Sequence, residues 1–237
     1  INAEKLASMG QLSAGIAHEI NNPLGVILLY AKTMLEDCPK DSEEYLDLMM
    51  IVEQAERCKN IVSGLLNFAR KNKVNLKPTK VRDLIDRCLK AILKPENIQI
   101  KVEHHLQDQS VELDEGQIIQ VLTNLINNAI EAMPEGGTIR IKTLDQNNEW
   151  QIIVEDEGNG IPEHILPKIF EPLFTTKKEG KGTGLGLAVA YGIIKMHHGK
   201  IDVWSNADSA KGPTGTKFTI TLPKQGSWQT LLNGNKN

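Results

Sequence analysis

Cysteine is scarce in this chain of 237 residues, and the three that occur lie far apart. Cys38, Cys58 and Cys88 form no CxxC pair, and an odd number of cysteines cannot all pair within one chain. This spacing argues against a disulfide framework and against a zinc site built on cysteine pairs. Free thiols are typical of a reducing compartment, so we expect a cytoplasmic protein.

Concentrated positive charge and long apolar runs are also missing. The chain has 27 basic and 30 acidic residues, a formal net charge of −3, and no long run of lysine and arginine. We therefore expect no nucleic-acid partner, because binding to a phosphate backbone requires clustered basic residues. No apolar run approaches the roughly 20 residues that span a bilayer, so we expect no direct membrane contact from this chain. It begins at Ile1 without a signal-peptide pattern, which suggests a fragment of a longer protein.

Long helical periodicity is present in the first third of the sequence. From about residue 3 to residue 38, one stripe of apolar residues recurs every three or four positions: Met9, Leu12, Ile16, Ile20, Leu24, Ile27, Ala31 and Met34. Pro39 interrupts this helix, and Ser42 is predicted to cap a second one that ends near Lys71. A two-helix hairpin cannot bury both apolar stripes alone. We therefore predict that a second copy completes a four-helix bundle, which makes the protein a homodimer.

Shorter helices and strands are predicted after residue 73. The stretch 74–80, which contains Pro78, is predicted to be a linker. The elements predicted beyond it are helices over 81–93, 114–133 and 184–198, and strands over 98–104, 111–113, 138–144, 150–155, 200–206 and 216–222. A loop over 156–182 precedes the last helix. The sequence thus indicates two domains, a helical one at 1–73 and a mixed α/β one at 74–237.

His18 is the first candidate for chemistry. It lies about 200° around the helix from both Ile16 and Ile20, so we predict it on the face opposite the apolar stripe. Gly15 lies on the same face, and a glycine inside a helix costs roughly 1 kcal/mol relative to alanine, which suggests that a bulky group approaches there. A structural histidine is the alternative. The zinc signature HExxH is not formed, because Asn22 stands where the second histidine would be.

Asn124 and Asn128 are one helical turn apart, so both side chains are predicted on one face of the 114–133 helix. Asparagine carbonyl oxygens are hard, neutral ligands, and Mg²⁺ takes few protein ligands when nucleotide phosphates also bind it. The pair therefore predicts a site for a nucleotide-bound magnesium ion. The alternative is an ordinary polar helix face.

Asp156 stands where a predicted strand runs out into Gly158 and Gly160. A carboxylate at the end of a strand can accept a hydrogen bond from an exocyclic amine, and glycines allow the backbone to approach a flat base. The pattern favours a nucleobase site. The alternative is a simple turn, because Asp-x-Gly-x-Gly is common in turns.

Gly182, Gly184 and Gly186 lie at the start of the predicted 184–198 helix. The unpaired N–H groups and the dipole of a helix N-terminus favour phosphate, and Lys177, Lys178 and Lys181 are close in sequence. A dinucleotide-binding site would need these glycines early in a βαβ unit, whereas here they come late. At the other end of this helix we expect an ordinary terminus, with His197 and His198 near the helix dipole and Gly199 at the C′ position. A metal site at these histidines is the alternative.

In combination and in this order, these motifs resemble the catalytic core of two-component sensor histidine kinases, from about Gln11 to Pro223. The motifs are His18 to Pro23 (H box), Asn124 to Asn128 (N box), Asp156 to Gly160 (G1 box), Phe170 to Lys177 (F box) and Gly182 to Leu187 (G2 box). The wording of the H and F boxes is most similar to the nitrogen-regulation class of these kinases.

The resemblance implies a fold of class α plus α/β. An antiparallel helical hairpin at 1–73 forms a dimeric four-helix bundle that serves dimerisation and histidine phosphotransfer. The catalytic ATP-binding domain at 74–237 is a GHKL-type (Bergerat) α/β sandwich. The implied activity is that of a protein-histidine kinase with ATP and Mg²⁺, and the implied partner is the receiver domain of a response regulator.

Roles for single residues also follow from the resemblance. His18 accepts the γ-phosphoryl group of ATP, Glu19 is the general base, and Asn22 takes part in dephosphorylating the regulator, unless it merely precedes the kink at Pro23. The residues implied to bind ATP are Asn124, Asn128, Asp156, Gly158, Gly160, Lys177, Lys181, Gly182, Thr183, Gly184, Leu185 and Gly186. Among these, Asn128 and Asn124 are implied to hold the metal.

One residue departs from the family pattern. Many of these kinases carry a lysine three residues after the second asparagine of the N box, and this chain has Glu131. Phosphate charge is then expected to be met by the lysines before Gly182. Two alternatives stay open at this point, a non-kinase GHKL-type ATPase and an inactive ATP-binding scaffold. The chain is also compatible with the cytoplasmic part of a membrane-anchored sensor.

Overall fold

The computed structural model describes residues 2–70, 74–105, 110–146, 148–177 and 182–224. For residues 2–19, 57, 60, 61 and 63–70 it describes the backbone alone. The chain divides into two compact units. One contains residues 1–72 together with 171–185, and the other contains residues 73–170 together with 186–237.

The first unit contains an antiparallel helical hairpin. Helix α1 spans Asn2–Asp37 and includes Pro23, and helix α2 spans Glu43–Arg70. The Ser42 hydroxyl accepts a hydrogen bond from the backbone N–H of Tyr45 at 3.2 Å, as an N-cap does. Both helices and this cap are as predicted from the sequence.

The two helices pack along an inner seam. Leu28 and Ala31 of α1 and Ala55 of α2 are buried in it. An ion pair between Lys32 and Glu56 crosses from one helix to the other at 2.5 Å. The seam therefore buries small and branched apolar side chains and has a charged edge.

The predicted apolar stripe of α1 is only partly covered by α2 in the single chain. Ala31 is buried, but Ile20, Ile27 and Met34 of the predicted stripe are 42%, 48% and 57% exposed in the single chain. Together with Tyr30, these residues form a second row, which we call the outer stripe. The outer stripe is offset by one residue, or about 100°, from the inner seam, so α1 carries two apolar rows.

The second unit is a mixed α/β structure. Its elements are β1 (Lys77–Lys80), α3 (Val81–Ala91), β2 (Ile98–His105), β3 (Ser110–Leu113), α4 (Glu115–Glu131), β4 (Gly137–Gln146), β5 (Glu149–Asp156), α5 (Gly186–Met196), β6 (Lys200–Asn206) and β7 (Gly215–Pro223), with short 3₁₀ turns at Leu166–Lys168 and Ser209–Lys211. All predicted helices and strands after residue 80 are present, and their ends shift by one to two residues in most cases.

Five of the strands form one sheet in the order β2-β4-β5-β7-β6. The β2–β4 pair is parallel and the other pairs are antiparallel. Burial alternates along β5 and β7, so one face of the sheet carries the apolar side chains. These side chains and the buried faces of α3, α4 and α5 form one core. The carboxyl end of β5 and the first turn of α5 are thereby attached to rigid elements.

The predicted linker at 74–80 is partly wrong, because residues 77–80 form strand β1. This strand pairs antiparallel with β3, with Lys77 opposite Leu113 and Pro78 opposite Glu112. Pro78 is compatible with the strand because the sheet has only two strands and a proline is tolerated at an edge. The side chain of Thr79 is buried against the domain.

Among the described residues, no helix is both long enough and apolar enough to cross a bilayer.

Candidate active site

Asp156 is the last residue of β5, and its carboxylate is held in one orientation. Oδ1 accepts hydrogen bonds from the backbone N–H groups of Gly158 at 2.9 Å and of Thr216 at 3.2 Å. Both bonds end on Oδ1, so Oδ2 is the oxygen that can accept from a ligand. The side chain is only 7% exposed. An acceptor in this setting is suited to a planar group that carries an N–H donor.

Burial determines the protonation behaviour of this carboxylate. Loss of hydration raises the pKa of Asp156 above its ordinary value, and the negative charge of Glu155 acts in the same direction. The two N–H groups on Oδ1 oppose this shift without cancelling it. Asp156 therefore gains a proton at a higher pH than an exposed aspartate does.

Two glycines after Asp156 allow close packing of the backbone. A Cβ atom on Gly160, which has a φ of +70°, would lie 2.0 Å from the carbonyl oxygen of Asn206. A Cβ atom on Gly158 would lie 2.7 Å from Cβ of Ala132. Any other residue would push this loop away from the ends of α4 and β6. The glycines predicted for a base site thus have a packing reason as well.

On α4, Asn124 is connected to the start of α5. Its Nδ2 donates to the carbonyl oxygen of Gly186 at 2.9 Å. With the amide nitrogen committed to this bond, Oδ1 is the atom that can act as an acceptor or a metal ligand. Asn128 lies one turn further along α4 and is half-buried. The amide oxygens of this helix face fit the hard-donor preference of Mg²⁺.

Residues 171–177 and 182–185 belong to the first unit, and a backbone hydrogen bond joins these two described stretches. The N–H of Leu173 donates to the carbonyl oxygen of Gly184 at 3.0 Å. Both residues are left-handed, with φ of 66° at Leu173 and 65° at Gly184, and a Cβ on Gly184 would lie 2.4 Å from the carbonyl carbon of Leu173. Only glycine fits at position 184. A non-glycine residue with positive φ, such as Leu173, is a strained feature of the kind found at functional sites.

The other predicted phosphate-binding residues lie in the same segment. Lys177 is exposed, and its backbone N–H donates to the Thr175 hydroxyl at 3.2 Å. The hydroxyl of Thr183 accepts from the N–H of Leu185 at 3.4 Å, and Leu185 is buried. Gly182 packs against Thr175, since a Cβ there would lie 2.8 Å from that hydroxyl oxygen. Lys178 and Lys181 lie outside the described residues.

The three H-box candidates lie on α1. The backbone places His18 and Glu19 within this helix, and their side chains lie outside the described ones. Asn22 is exposed, immediately before Pro23. The predicted outward position of the His18 side chain therefore stays a prediction.

Two residues with hydroxyl groups near Asp156 belong to none of the motifs identified in the sequence. Thr216 supplies one of the N–H groups on Oδ1, and its own hydroxyl lies 3.0 Å from that of Ser205. Ser205 also accepts from the N–H of Ile161 at 2.7 Å and donates to the carbonyl of Gly215 at 2.8 Å. The only sequence signal for these residues is a hydroxyl at the end of one predicted strand and at the start of the next.

The end of α5 differs from the sequence prediction. His198, with a φ of 54°, takes the left-handed C′ position that was assigned to Gly199. The N–H groups of His198 and Gly199 donate to the carbonyls of Lys195 and Ile194, which is a Schellman motif. Gly199 is required for space, because a Cβ there would lie 2.6 Å from the Thr221 carbonyl oxygen.

His197 is used inside the fold. Its Nδ1 donates to the Ile193 carbonyl at 2.9 Å, and its Nε2 accepts from the N–H of Asp114 at 3.1 Å. Burial lowers the pKa of His197 below its ordinary value. With both ring nitrogens bound to backbone groups, this histidine is structural.

Two family models match the chain. One, described as "His Kinase A (phospho-acceptor) domain", matches residues 8–73. The other, described as "Histidine kinase-, DNA gyrase B-, and HSP90-like ATPase", matches residues 113–226. Together with the hairpin and the mixed sheet, they confirm the predicted α plus α/β fold class of GHKL type.

Individual proteins are similar over almost the whole chain. The sensor kinase CckA of Brucella abortus (strain 2308) is 40% identical over an alignment that covers 94% of this chain and 25% of that protein. Sporulation kinase A of Bacillus subtilis (strain 168) is 38% identical over 95% of this chain and 36% of its own length. The chain thus spans less than half of the length of each of these two relatives.

Two solved structures of a histidine kinase are also similar to the chain. The catalytic domain of histidine kinase ThkA is 35% identical, with a TM-score of 0.56, over 63% of this chain and 96% of that domain. ThkA in complex with the response regulator protein TrrA is 30% identical, with a TM-score of 0.67, over 94% of this chain and 64% of that one.

Proposed function

The chain belongs to the two-component sensor histidine kinases and comprises their catalytic core, and from this we propose that it uses ATP to phosphorylate its own His18. The observation that carries the proposal is the Asp156 carboxylate, which is buried, anchored through Oδ1 and open to a ligand at Oδ2. This arrangement suits the exocyclic amine of adenine. Gly158 and Gly160 have no side chains that would keep a flat base away from the backbone.

The phosphates of ATP are assigned to the glycine-rich segment and the start of α5. We propose that Gly182, Thr183, Gly184, Leu185 and Gly186 provide backbone N–H groups and close approach. Lys177 and Lys181 provide positive charge, which Glu131 cannot supply.

Magnesium is assigned to the amide face of α4. Asn128 and Asn124 would hold it through their side-chain oxygens, and the Asn124 amide is already oriented by its bond to Gly186. A bound Mg²⁺ would neutralise charge on the β- and γ-phosphates during transfer.

Phosphoryl transfer requires one bond to break and one to form. The bond between the γ-phosphorus and the oxygen that bridges to the β-phosphate breaks, a bond from a ring nitrogen of His18 to phosphorus forms, and ADP leaves. Glu19 takes up the proton displaced from the imidazole. Positioning and charge neutralisation supply most of the catalysis in such reactions.

The proposed next acceptor is an aspartate in the receiver domain of a response regulator. The N–P bond of phosphorylated His18 breaks and an acyl phosphate forms on the regulator. The ThkA structure with the regulator TrrA supports this class of partner. Asn22 is exposed one helical turn after His18, and we assign to its amide the positioning of a water for hydrolysis of that acyl phosphate. A place in the nitrogen-regulation class stays a prediction.

We also propose that the domain boundary lies between residues 73 and 74 and that the chain forms a homodimer. The exposed outer stripe of α1 supports a second hairpin as its partner. A cytoplasmic location agrees with the need for cellular ATP and with the free cysteines. Neither a non-kinase ATPase nor an inactive scaffold is favoured, because the phospho-acceptor model covers the helical hairpin.

Incubation of the chain with Mg²⁺ and γ-labelled ATP tests the proposal. We expect label that is lost in acid and retained in base, as a phosphoramidate is. His18→Gln should remain unlabelled and bind ATP with the affinity of the parent, because the substitution lies outside the ATP-binding residues. His164→Gln makes the same change at an exposed histidine and should label fully. Labelling of His18→Gln as strong as that of the parent would show that the assignment is wrong.

A further inference from the structure

Three polar side chains form one row across the inner face of the sheet. Asp156 on β5 lies opposite Thr216 on β7, and Thr216 lies opposite Ser205 on β6. Directly opposed residues of antiparallel strands project from the same face, with Cβ atoms about 5 Å apart. Thr216 is 4% exposed and Asp156 is 7% exposed. The Thr216 hydroxyl is therefore beside the carboxylate that is proposed to bind adenine.

Ser205 connects three segments around this row. Its oxygen accepts from the N–H of Ile161, in the loop that follows Gly160, and its proton is donated to the carbonyl of Gly215 at the start of β7. The third neighbour is the Thr216 hydroxyl at 3.0 Å. Ser205 thus holds the loop after Gly160 and the start of β7 in fixed positions relative to each other.

The single proton of the Ser205 hydroxyl determines which residue donates in the hydrogen bond between Ser205 and Thr216. A serine hydroxyl has one proton and two lone pairs. The proton goes to the carbonyl oxygen of Gly215, which has no proton to give. Ile161 donates to one lone pair, so the bond between the two hydroxyls must be donated by Thr216 to the other. The Thr216 proton is then directed away from Asp156, and only lone pairs of its oxygen remain for a ligand.

We propose that Ser205 is a positioning residue for base specificity. Because Ser205 accepts a hydrogen bond from the Thr216 hydroxyl, Asp156 and Thr216 present only hydrogen-bond acceptors to a purine. This inference rests on the proposed binding of ATP through Asp156. Adenine presents an exocyclic amine with two N–H donors, which matches a set of acceptors. A 6-oxopurine presents an oxygen at the same place, and this oxygen meets an ionised carboxylate and a hydroxyl that has no proton to offer.

Replacing Ser205 should weaken the preference for adenine over a 6-oxopurine. In Ser205→Ala the Thr216 hydroxyl loses its acceptor and can turn its proton toward the purine. A 6-oxo group then gains a donor, while adenine gains nothing. We expect the ratio of the Kd for IDP to the Kd for ADP to fall about tenfold, or about 1.4 kcal/mol, relative to the parent. Loosening of the Ile161 loop affects both nucleotides alike and cancels in this ratio.

The experiment is calorimetric titration of the 237-residue chain with ADP and with IDP at pH 8. The critical variant is Ser205→Ala combined with Thr216→Val, which removes the freed proton and should restore the parental ratio. Ser205→Thr keeps a hydroxyl and should also behave as the parent does. Thr221→Val removes a hydroxyl from the outer face of β7, where Gln151 binds it, and should leave the ratio unchanged.

The outcomes separate this inference from the proposed function. A parent that binds neither nucleotide overturns both. A parent that prefers ADP, with an unchanged ratio in Ser205→Ala, overturns the role of Ser205 alone, and so does equal weakening of both nucleotides. If Ser205→Ala does not fold, Ser205→Cys carries the test, because its thiol is a weak acceptor of similar size. A parental ratio in that variant counts against the inference.

Discussion

The side-chain amide of Asn124 connects α4 to the first turn of α5. Nδ2 of Asn124 donates to the Gly186 carbonyl at 2.9 Å, which leaves its Oδ1 for a ligand. The carbonyl of Gly186 lies at the start of a helix whose N–H groups are proposed to bind phosphate. Asn124 therefore has two roles that depend on one orientation, and both its nitrogen and its oxygen are needed.

Asn124→Asp tests this dependence. The substitution keeps the shape of the side chain but replaces the donor with an oxygen, which then faces the Gly186 carbonyl without a proton between them. We expect ATP affinity, measured without Mg²⁺ by fluorescence of a labelled nucleotide, to fall tenfold or more, that is by about 1.4 kcal/mol or more. Asn127→Asp adds the same charge at an exposed position of the same helix. Equal losses in the two variants would reduce the effect to charge repulsion and contradict the orientation argument.

Residue patterns in the sequence predicted only part of the site. Asp156, Gly158 and Gly160 were identified because strand-end carboxylates and closely spaced glycines have a local signature. Ser205 and Thr216 were missed because a hydroxyl within a strand has no characteristic spacing. Their role depends on the register of β6, β7 and β5, which pairs residues far apart along the chain.

At the scale of elements, α5 is held at both ends. Its first residue, Gly186, is bound by Asn124, and its last turn is bound through His197 to Asp114. Asp114 also caps α4, since its Oδ1 accepts from the N–H of Gln117, and its Oδ2 accepts from the N–H of Asn75. The helix proposed to bind phosphate is thus attached through one histidine to the cap of α4 and to the stretch before β1.

Protonation of His197 should break this attachment. Nε2 must be unprotonated to accept from Asp114, and burial lowers the pKa of His197 in the folded chain below the unfolded value of about 6.5. Below that pH the unfolded chain binds a proton that the folded chain does not. The stabilisation by His197 is therefore complete above about pH 6.5 and is lost as the pH falls below it, by at most about 1.4 kcal/mol per pH unit.

Urea unfolding of the parent and of His197→Gln at pH 7.5 and 5.5 measures this effect. Glutamine can accept from the Asp114 N–H without titrating, so its urea midpoint should fall less over this interval than that of the parent. All other titrating groups are common to both proteins and cancel in the comparison. Parallel falls in the two midpoints would contradict a proton-linked role for His197.

Elements with strong local sequence signals were predicted, whereas elements that depend on pairing with a distant part of the chain were not. Helix α4 follows from its apolar period and from the Asp114 cap. Strand β1 was assigned to a linker because Pro78 is typical of loops, and only pairing with β3 makes it a strand. The two rows of α1 were merged into one because positions one residue apart differ by only about 100° around a helix.

For the whole molecule, the outer stripe is an apolar surface that the described hairpin leaves uncovered. Ile20, Ile27, Tyr30 and Met34 recur with the spacing of seven residues per two turns that a helical bundle requires. Met49 and Met50 of α2 are also 48% and 61% exposed. Burying a large apolar side chain stabilises by about 1.5–3 kcal/mol, so this surface is costly in water and favours a second hairpin.

Two glutamates in the outer stripe should separate the two chains. We expect the parent to sediment with the mass of two chains, and Ile27→Glu combined with Tyr30→Glu to sediment as one, because each carboxylate would otherwise be buried between apolar helices. Circular dichroism should show that the hairpin keeps its helices, since the inner seam of Leu28, Ala31 and Ala55 is untouched. The control is Leu93→Glu, at a leucine that is 97% exposed in the α/β unit, which should remain a dimer. A parent that sediments as one chain, or a double variant that sediments as two, would rule out the outer stripe as the dimer interface.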